Sequence, residues 1–374
     1  MIINIFGKDS SKSSGGDSPT GSTDVTEEYI MNNKIAYNSS DEKIIGTAPF
    51  EYIGTEDGID NYRVLEDEMY VLLPNNEKKL LKTGDITVEE DWVQTTLSPS
   101  SNWQSVCYGN GKYVVIAYNS DRAAYSEDGI TWTNTTLPAS AKWQSVCYGN
   151  GKYVAVALTG IVAYSEDGIT WTQTTIPTSN NWNSVCYGNN KFVAVAYGIS
   201  SYSEDGINWI KTIMPTSASW NSVCYGNNKY VAVATGKTVA YSEDGINWTQ
   251  TTMPTSADWQ SVCYGNGKYV STADENIAAY SEDGITWTQT TLPASANWQS
   301  VCYGNGKFVT VARAYGSRTS AYSEDGITWT KTTLPTSDGW CSVCYGNGKF
   351  VAIMYSSYTA AYKISYSYNG LILL

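Results

Sequence analysis

From residue 92 to the C-terminus the chain repeats one alternation of apolar and polar positions. A unit opens Trp-x-Ser-Val-Cys-Tyr-Gly, turns through Asn-Gly-Lys or Asn-Asn-Lys, and continues Tyr/Phe-Val-Ala-Val-Ala or a close variant of it. A stretch that differs in every copy follows. The unit then closes with Tyr-Ser-Glu-Asp-Gly-Ile-Thr/Asn-Trp, a Thr-rich run and a proline. The leading tryptophans are Trp103, Trp143, Trp182, Trp220, Trp259, Trp298 and Trp340, which makes seven units. Each holds four short β-prone runs separated by turn residues, and none shows helical spacing. The Gly-Asn-Gly-Lys turn suits a tight hairpin whose central residues take positive φ.

One such unit cannot bury its apolar face alone, whereas stacked copies can. The expected architecture is all-β, a seven-bladed β-propeller of four-stranded blades over residues 91–374. Closure is written in the ends. Trp92-Val93-Gln94-Thr95-Thr96-Leu97 matches a fourth strand with no three strands before it, and the unit that starts at Trp340 lacks a tryptophan-bearing fourth strand. The early segment is expected to complete the last blade, with residues 371–374 pairing beside it or competing with it. Ahead of the repeats, residues 1–24 join an apolar start to a Ser/Gly/Asp-rich run that reads as a flexible tether. The apolar start, residues 1–6, suits docking on another chain by strand addition. Residues 25–90 read as a small β-rich connector.

Composition narrows the chemistry. Net charge is −13, and the arginines are Arg63, Arg122, Arg313 and Arg318. No basic patch for nucleic acid is visible. No apolar run approaches the roughly 18 residues of a membrane span, so membrane insertion is not expected. The chain has no histidine. That removes histidine acid–base chemistry, histidine triads and the commonest transition-metal ligand. No cofactor or metal is expected. Cys107, Cys147, Cys186, Cys224, Cys263, Cys302 and Cys344 occupy one position of the repeat. Equivalent positions in a ring lie too far apart for disulfides, so these read as small buried residues. Cys341 and Cys344 form an isolated Cys-x-x-Cys without a second pair. Reduced thiols fit assembly in a cytoplasm.

The motif Ser-Glu-Asp-Gly-Ile-Thr/Asn-Trp recurs six times at spacings of 38 to 42 residues, from Ser126 to Trp329, and a degraded copy follows at residues 366–370. It resembles the Asp-box (BNR) repeat of sialidases and related β-propellers. Its serine and aspartate suit bonding of turn N–H groups, and its glycine a conformation that other residues avoid. A residue repeated identically in every blade has one repeated job. Asp128, Asp167, Asp205, Asp244, Asp283 and Asp325 are therefore expected to be structural. The sialidase resemblance implies a glycosidase with an arginine triad and an Arg-Ile-Pro motif. The chain has no Arg-Ile-Pro, and Arg313 and Arg318 share one loop. Only the turn geometry is carried over, and the chain is expected not to be an enzyme.

Function is expected where the copies differ. The loop between second and third strands is the most variable part of the unit. It offers Tyr118, Asn119, Asp121, Arg122, Tyr197, Lys237, Asp274, Glu275, Arg313, Tyr315, Arg318, Tyr355 and Tyr358 as candidate ligand-binding residues. Because strand direction alternates, these loops share one end of the ring with the connections between units. Such Tyr-, Asn- and Arg-rich loops suit adaptable recognition of sugars or protein surfaces. Tyr29 to Thr47, with Lys34-Ile35-Ala36-Tyr37 and Lys43-Ile44-Ile45-Gly46-Thr47, resembles a small module of tail and tail-fibre proteins of phages that infect Gram-positive bacteria. The combined expectation is a tail-fibre or baseplate receptor-binding protein of a virion, assembled in the host cytoplasm. Residues 1–60 would join other virion proteins, and the propeller would hold a bacterial surface polysaccharide or protein. A decoration protein of capsid or tail is the first alternative, and a surface-polysaccharide hydrolase the second.

Overall fold

The chain divides into two compact units, one spanning Glu90–Ser365 and one built on the strands ahead of it. The computed structural model describes residues 92–313, 318–337 and 339–355 in full, and residues 357–364 and seven short strands before residue 92 as backbone. Residues 7–24, read as a tether, and residues 366–374 lie outside the described residues.

In the N-terminal unit, Ile2–Ile5 pairs antiparallel with Ile59–Val64, which also pairs with Phe50–Glu56. A second sheet places Ile35–Tyr37, Lys43–Ile45, Glu68–Leu72 and Lys78–Lys82 side by side in that order. The apolar first strand, expected to dock on another chain, thus pairs within its own. The physical reason is simple: Ile59–Val64 offers an open edge, and an apolar β-prone segment fills such an edge.

The larger unit is an all-β propeller. Every repeat pairs the cysteine of its first strand with the first valine of its second. The partners are Cys107↔Val114, Cys147↔Val154, Cys186↔Val193, Cys224↔Val231, Cys263↔Val270, Cys302↔Val309 and Cys344↔Val351. Hydrogen bonding does not, however, cut the unit into seven separate four-stranded sheets, which corrects the sequence expectation. Three sheets are four-stranded and two are six-stranded. The cause lies in continuous strands. Lys112–Ser126 and Lys229–Ser242 run through the second and third positions of their repeats, and Thr133–Gly149 and Thr249–Gly265 carry a fourth strand on into the next repeat's first.

The ends meet. Val93–Ser101 pairs with Ser357–Ile364, with Gln94 opposite Ala361 and Thr95 opposite Ala360. The first propeller strand therefore completes the last sheet, Trp340–Gly346, Lys349–Met354, Ser357–Ile364, Val93–Ser101.

Two cyclic contacts join neighbouring repeats, and a third joins those with a tyrosine in the second strand. At the inner edge, Val146 N–H donates to Ser105 Oγ at 3.2 Å, Val185 to Ser145 at 3.2 Å and Val223 to Ser184 at 3.1 Å. Val262 donates to Ser222, Val301 to Ser261 and Val343 to Ser300, each at 3.1 Å, and Val106 returns to Ser342 at 3.2 Å. Further out, each repeat's tyrosine ring lies on the preceding repeat's glycine. A Cβ on Gly109 would fall 2.0 Å from Tyr148 Cγ, on Gly188 2.0 Å from Tyr225 Cγ, and on Gly346 2.0 Å from Tyr108 Cγ. Where the second strand starts with tyrosine, its hydroxyl reaches back as well: Tyr153 donates to Gly109 O and Tyr113 to Gly346 O.

Between repeats the core is aromatic and aliphatic. All seven leading tryptophans are fully buried. Val114 and Ile116 of the first repeat pack in one cluster with Trp143, Tyr153 and Trp171 of the second. All eight cysteines are free, and burial pushes the repeat thiols well above their ordinary range, which leaves them protonated space-fillers.

This packing predicts a contrast between two glycines. Gly188→Ala forces the Tyr225 ring off its seat and is expected to cost about 3 kcal/mol. Gly267→Ala, at φ +74 with open space around it, carries only conformational strain of about 1–2 kcal/mol. Thermal unfolding of the two variants should show the larger fall for Gly188→Ala. Equal falls would contradict the tyrosine-on-glycine contact.

Candidate ligand-binding face

The two ends of the propeller differ in what they repeat. At one end lie the first hairpin of each repeat and the Ser-Glu-Asp-Gly turn, close enough for Asn150 Nδ2 to donate to Glu204 O and for Lys152 to approach Glu166 at 3.8 Å. At the other end the second strand finishes beside the start of the first. Tyr118 N–H donates to Asn102 O at 2.7 Å, Arg313 to Asn297 O at 2.7 Å and Tyr355 to Gly339 O at 2.9 Å.

The turn end is uniform. Ser126 Oγ donates to Asp128 Oδ1 at 2.9 Å and accepts from Gly129 N–H at 2.8 Å. Asp128 Oδ1 also accepts from Ile130 N–H at 2.8 Å and Thr131 N–H at 2.7 Å. The same set recurs around Asp167, Asp205, Asp244, Asp283 and Asp325. Asn208 and Asn247 add a bond of 2.7 Å to the second carboxylate oxygen of their aspartates. Partial burial pushes these carboxyls up, but the N–H and serine bonds outweigh it. All six lie below the usual carboxylate range, Asp244 at about 2. Bonding of the turn's own backbone occupies the same oxygen in every copy.

The loop end is not uniform. One position, the residue that ends the second strand, reads Tyr118, Leu158, Tyr197, Thr235, Asp274, Arg313 and Tyr355 through the repeats. Three of these meet. The Tyr118 and Tyr355 ring centroids are 6.5 Å apart at 53°, and Arg313 Cζ stands 4.3 Å from the Tyr355 centroid. All three side chains are half-buried. Asp274 belongs to an acidic corner with Asp258 and Glu275. Desolvation first, then those two charges, pushes its carboxyl above the ordinary value. Asp258 in turn accepts from Thr235 Oγ1 at 2.8 Å.

The other candidates are spread over the same end. Arg122 donates to Ser100 O at 2.7 Å, and Arg318 Nε donates to Leu334 O. Asn119 takes φ 55, Asp121, Lys237 and Glu275 are exposed, and Tyr197 is 56% exposed. Tyr315 lies outside the described residues, and Tyr358 is described only as backbone in Ser357–Ile364. Sequence reasoning passed over Asp258 and Gly339, which occupy the variable position just before the leading tryptophan. It also passed over the amides just after it, among which Gln104 Nε2 donates to Gln144 Oε1 at 3.1 Å and Asn183 Nδ2 to Trp220 O at 2.9 Å. Variation at those two positions, compared across units, was the available signal.

The fold places the chain among β-propellers, and solved structures show how broadly. It is similar to the virginiamycin B lyase from Staphylococcus aureus, with a TM-score of 0.67 and 12% identity over 73% of this chain and 99% of that one. It is similar to YCF48 bound to D1 peptide, at 0.61 and 14% over 75% and 97%, and to the WD40 propeller domain of Doa1, at 0.61 and 12% over 74% and 97%. No protein-family model and no curated protein sequence matches the chain. At these identities the likeness shows the fold alone. It nevertheless corrects the expectation that the chain is not an enzyme: a lyase shares this architecture, so the propeller itself gives no ground for excluding catalysis.

The turn aspartates predict a pH response. Their ordinary value is 3.8 and the folded value is lower, so ionisation favours the fold. That contribution is full above about pH 4 and is lost as pH falls toward about 2. Asp274, shifted the other way, is relieved by acid and opposes the trend weakly. The unfolding midpoint should drop steeply over this window, and less steeply in Asp244→Asn. A midpoint insensitive to pH there would contradict the bonding described.

Proposed function

We propose that the chain is a recognition propeller of a virion appendage, a tail-fibre or baseplate protein that holds a bacterial surface polysaccharide or protein with its loop end. The observation that carries this reading is the contrast between the ends. One repeats the same Ser/Asp turn, while the other carries five different residue types at one position over the seven repeats and there gathers Tyr118, Tyr355 and Arg313. Uniform turns serve a scaffold. Side chains that differ around a ring serve a ligand that is not itself symmetric.

Two finer readings support it. We read each six-stranded sheet as two blades joined by continuous strands, which would give seven blades, and the bonded Ser/Asp turns as Asp-boxes. Attachment falls to residues 1–60, where Ile35–Tyr37 pairs with Lys43–Ile45 in the segment that resembles a phage tail module. Adsorption would multiply weak contacts by copy number on the particle.

Antibody labelling of particles from the source culture in the electron microscope tests the proposal. Gold at the tail tip or baseplate is expected. Labelling of the capsid would favour a decoration protein, and label absent from particles would overturn the virion reading.

A further inference from the structure

The departures from the repeat are not scattered evenly around the loop end. Arg313 ends the second strand of the sixth repeat, and Tyr355 and Tyr118 hold the same position in the next two around the closed ring. Gly339 stands where other repeats carry Asn102, Lys142, Asn181, Ser219, Asp258 and Asn297. A Cβ on Gly339 would lie 3.4 Å from Arg313 Cγ, an ordinary contact, so the arginine stem runs beside this glycine. Arginine, glycine and tyrosine thus meet at one junction.

The chemistry of this junction is set by the guanidinium of Arg313. A guanidinium carries five N–H donors in a planar fork. Among the described residues Arg313 stacks on Tyr355, and its side chain makes no hydrogen bond or ion pair. Stacking orients the fork and leaves its edge for a planar or tetrahedral anion. Tyr118 meets Tyr355 at 53° to form a half-buried aromatic corner whose faces suit a saccharide ring, with its C–H groups against the rings. We infer that Arg313, Tyr355 and Tyr118 bind an anionic saccharide, its carboxylate or phosphate on the guanidinium and its ring against the tyrosines. This rests on the recognition reading and names its ligand class.

The test titrates the full chain with D-glucuronate, glucose 1-phosphate and glucose at low salt, followed by saturation-transfer NMR. At least one anionic sugar should bind roughly tenfold or more tightly than glucose, the size of one charge-assisted hydrogen bond. Comparison of the two anions tells carboxylate from phosphate. Arg313→Met should reduce binding to the glucose level, Arg313→Lys should keep part of it, and Tyr118→Ala should weaken all three sugars. Thermal unfolding checks that the variants are folded. If Arg313→Met unfolds, the Lys variant and the salt dependence decide, since an ion-paired ligand weakens as salt rises. No preference for anions, or binding unchanged in Arg313→Met, overturns the site. Adsorption of the chain and of Arg313→Met to host cells separates the two claims. Cells held equally by both leave the recognition reading and remove this site, whereas sugar binding without adsorption keeps the site and removes that reading.

Discussion

The structure depends on what happens to the N–H groups at the inner edge of each ladder. A strand that ends its ladder presents unpaired donors, which are costly when buried and an invitation to wrong partners when exposed. Here a valine N–H of each first strand is taken by the serine hydroxyl of the repeat before, around the full circle to Val106 and Ser342. One short polar side chain per repeat both satisfies the edge and fixes the distance to the neighbour. The tyrosine that lies on the neighbour's glycine repeats that constraint one layer further out. Neither contact closes without the last step, which is why Val93–Ser101 must return to complete the final sheet.

A scaffold held by cyclic, equivalent contacts has a functional consequence. Positions inside the cycle resist change, because each touches the next repeat. Ser145, Gly188 and Tyr225 illustrate this, since a larger or less polar residue would break a contact with a neighbour. The residues that end the second strands stand outside the cycle. Tyr118, Thr235, Asp274 and Arg313 replace one another there while the ladders beneath keep their register. Geometry is thus shared and chemistry is local, so one end can carry an acidic corner at Asp274 and a stacked guanidinium at Arg313 on the same frame.

Much of this was legible in the chain. Period, alternation and the Asn-Gly hairpins indicate the strands, and residues 92–97 announce the closure because their pattern lacks its first three strands. The number of separate sheets was not legible. It depends on whether a strand stays extended through a corner, and Lys112–Ser126 does while Lys191–Ala196 does not, a difference of a few loop residues. The turn aspartates were readable as scaffold from repetition alone. The arginine–tyrosine junction was only half readable. Arg313, Tyr355 and Tyr118 are variable residues in three different repeats, and although closure makes those repeats neighbours, nothing linear shows that the three side chains meet. Gly339 and Asp258 were missed because the position before the tryptophan looks like linker until the second strand is seen to end beside it. Catalytic capacity was not legible at all, since the same fold occurs in a lyase and in a protein bound to a peptide.

Amide hydrogen exchange along the inner strands tests the closed ring most directly. Open arrays fray from their ends, whereas a ring joined through its first and last strands has no end to fray. The account predicts that Trp103–Gly109 and Trp340–Gly346 exchange as slowly as Trp220–Gly226 in the middle of the chain. Faster exchange of the first and last of these than of the central strand would contradict it.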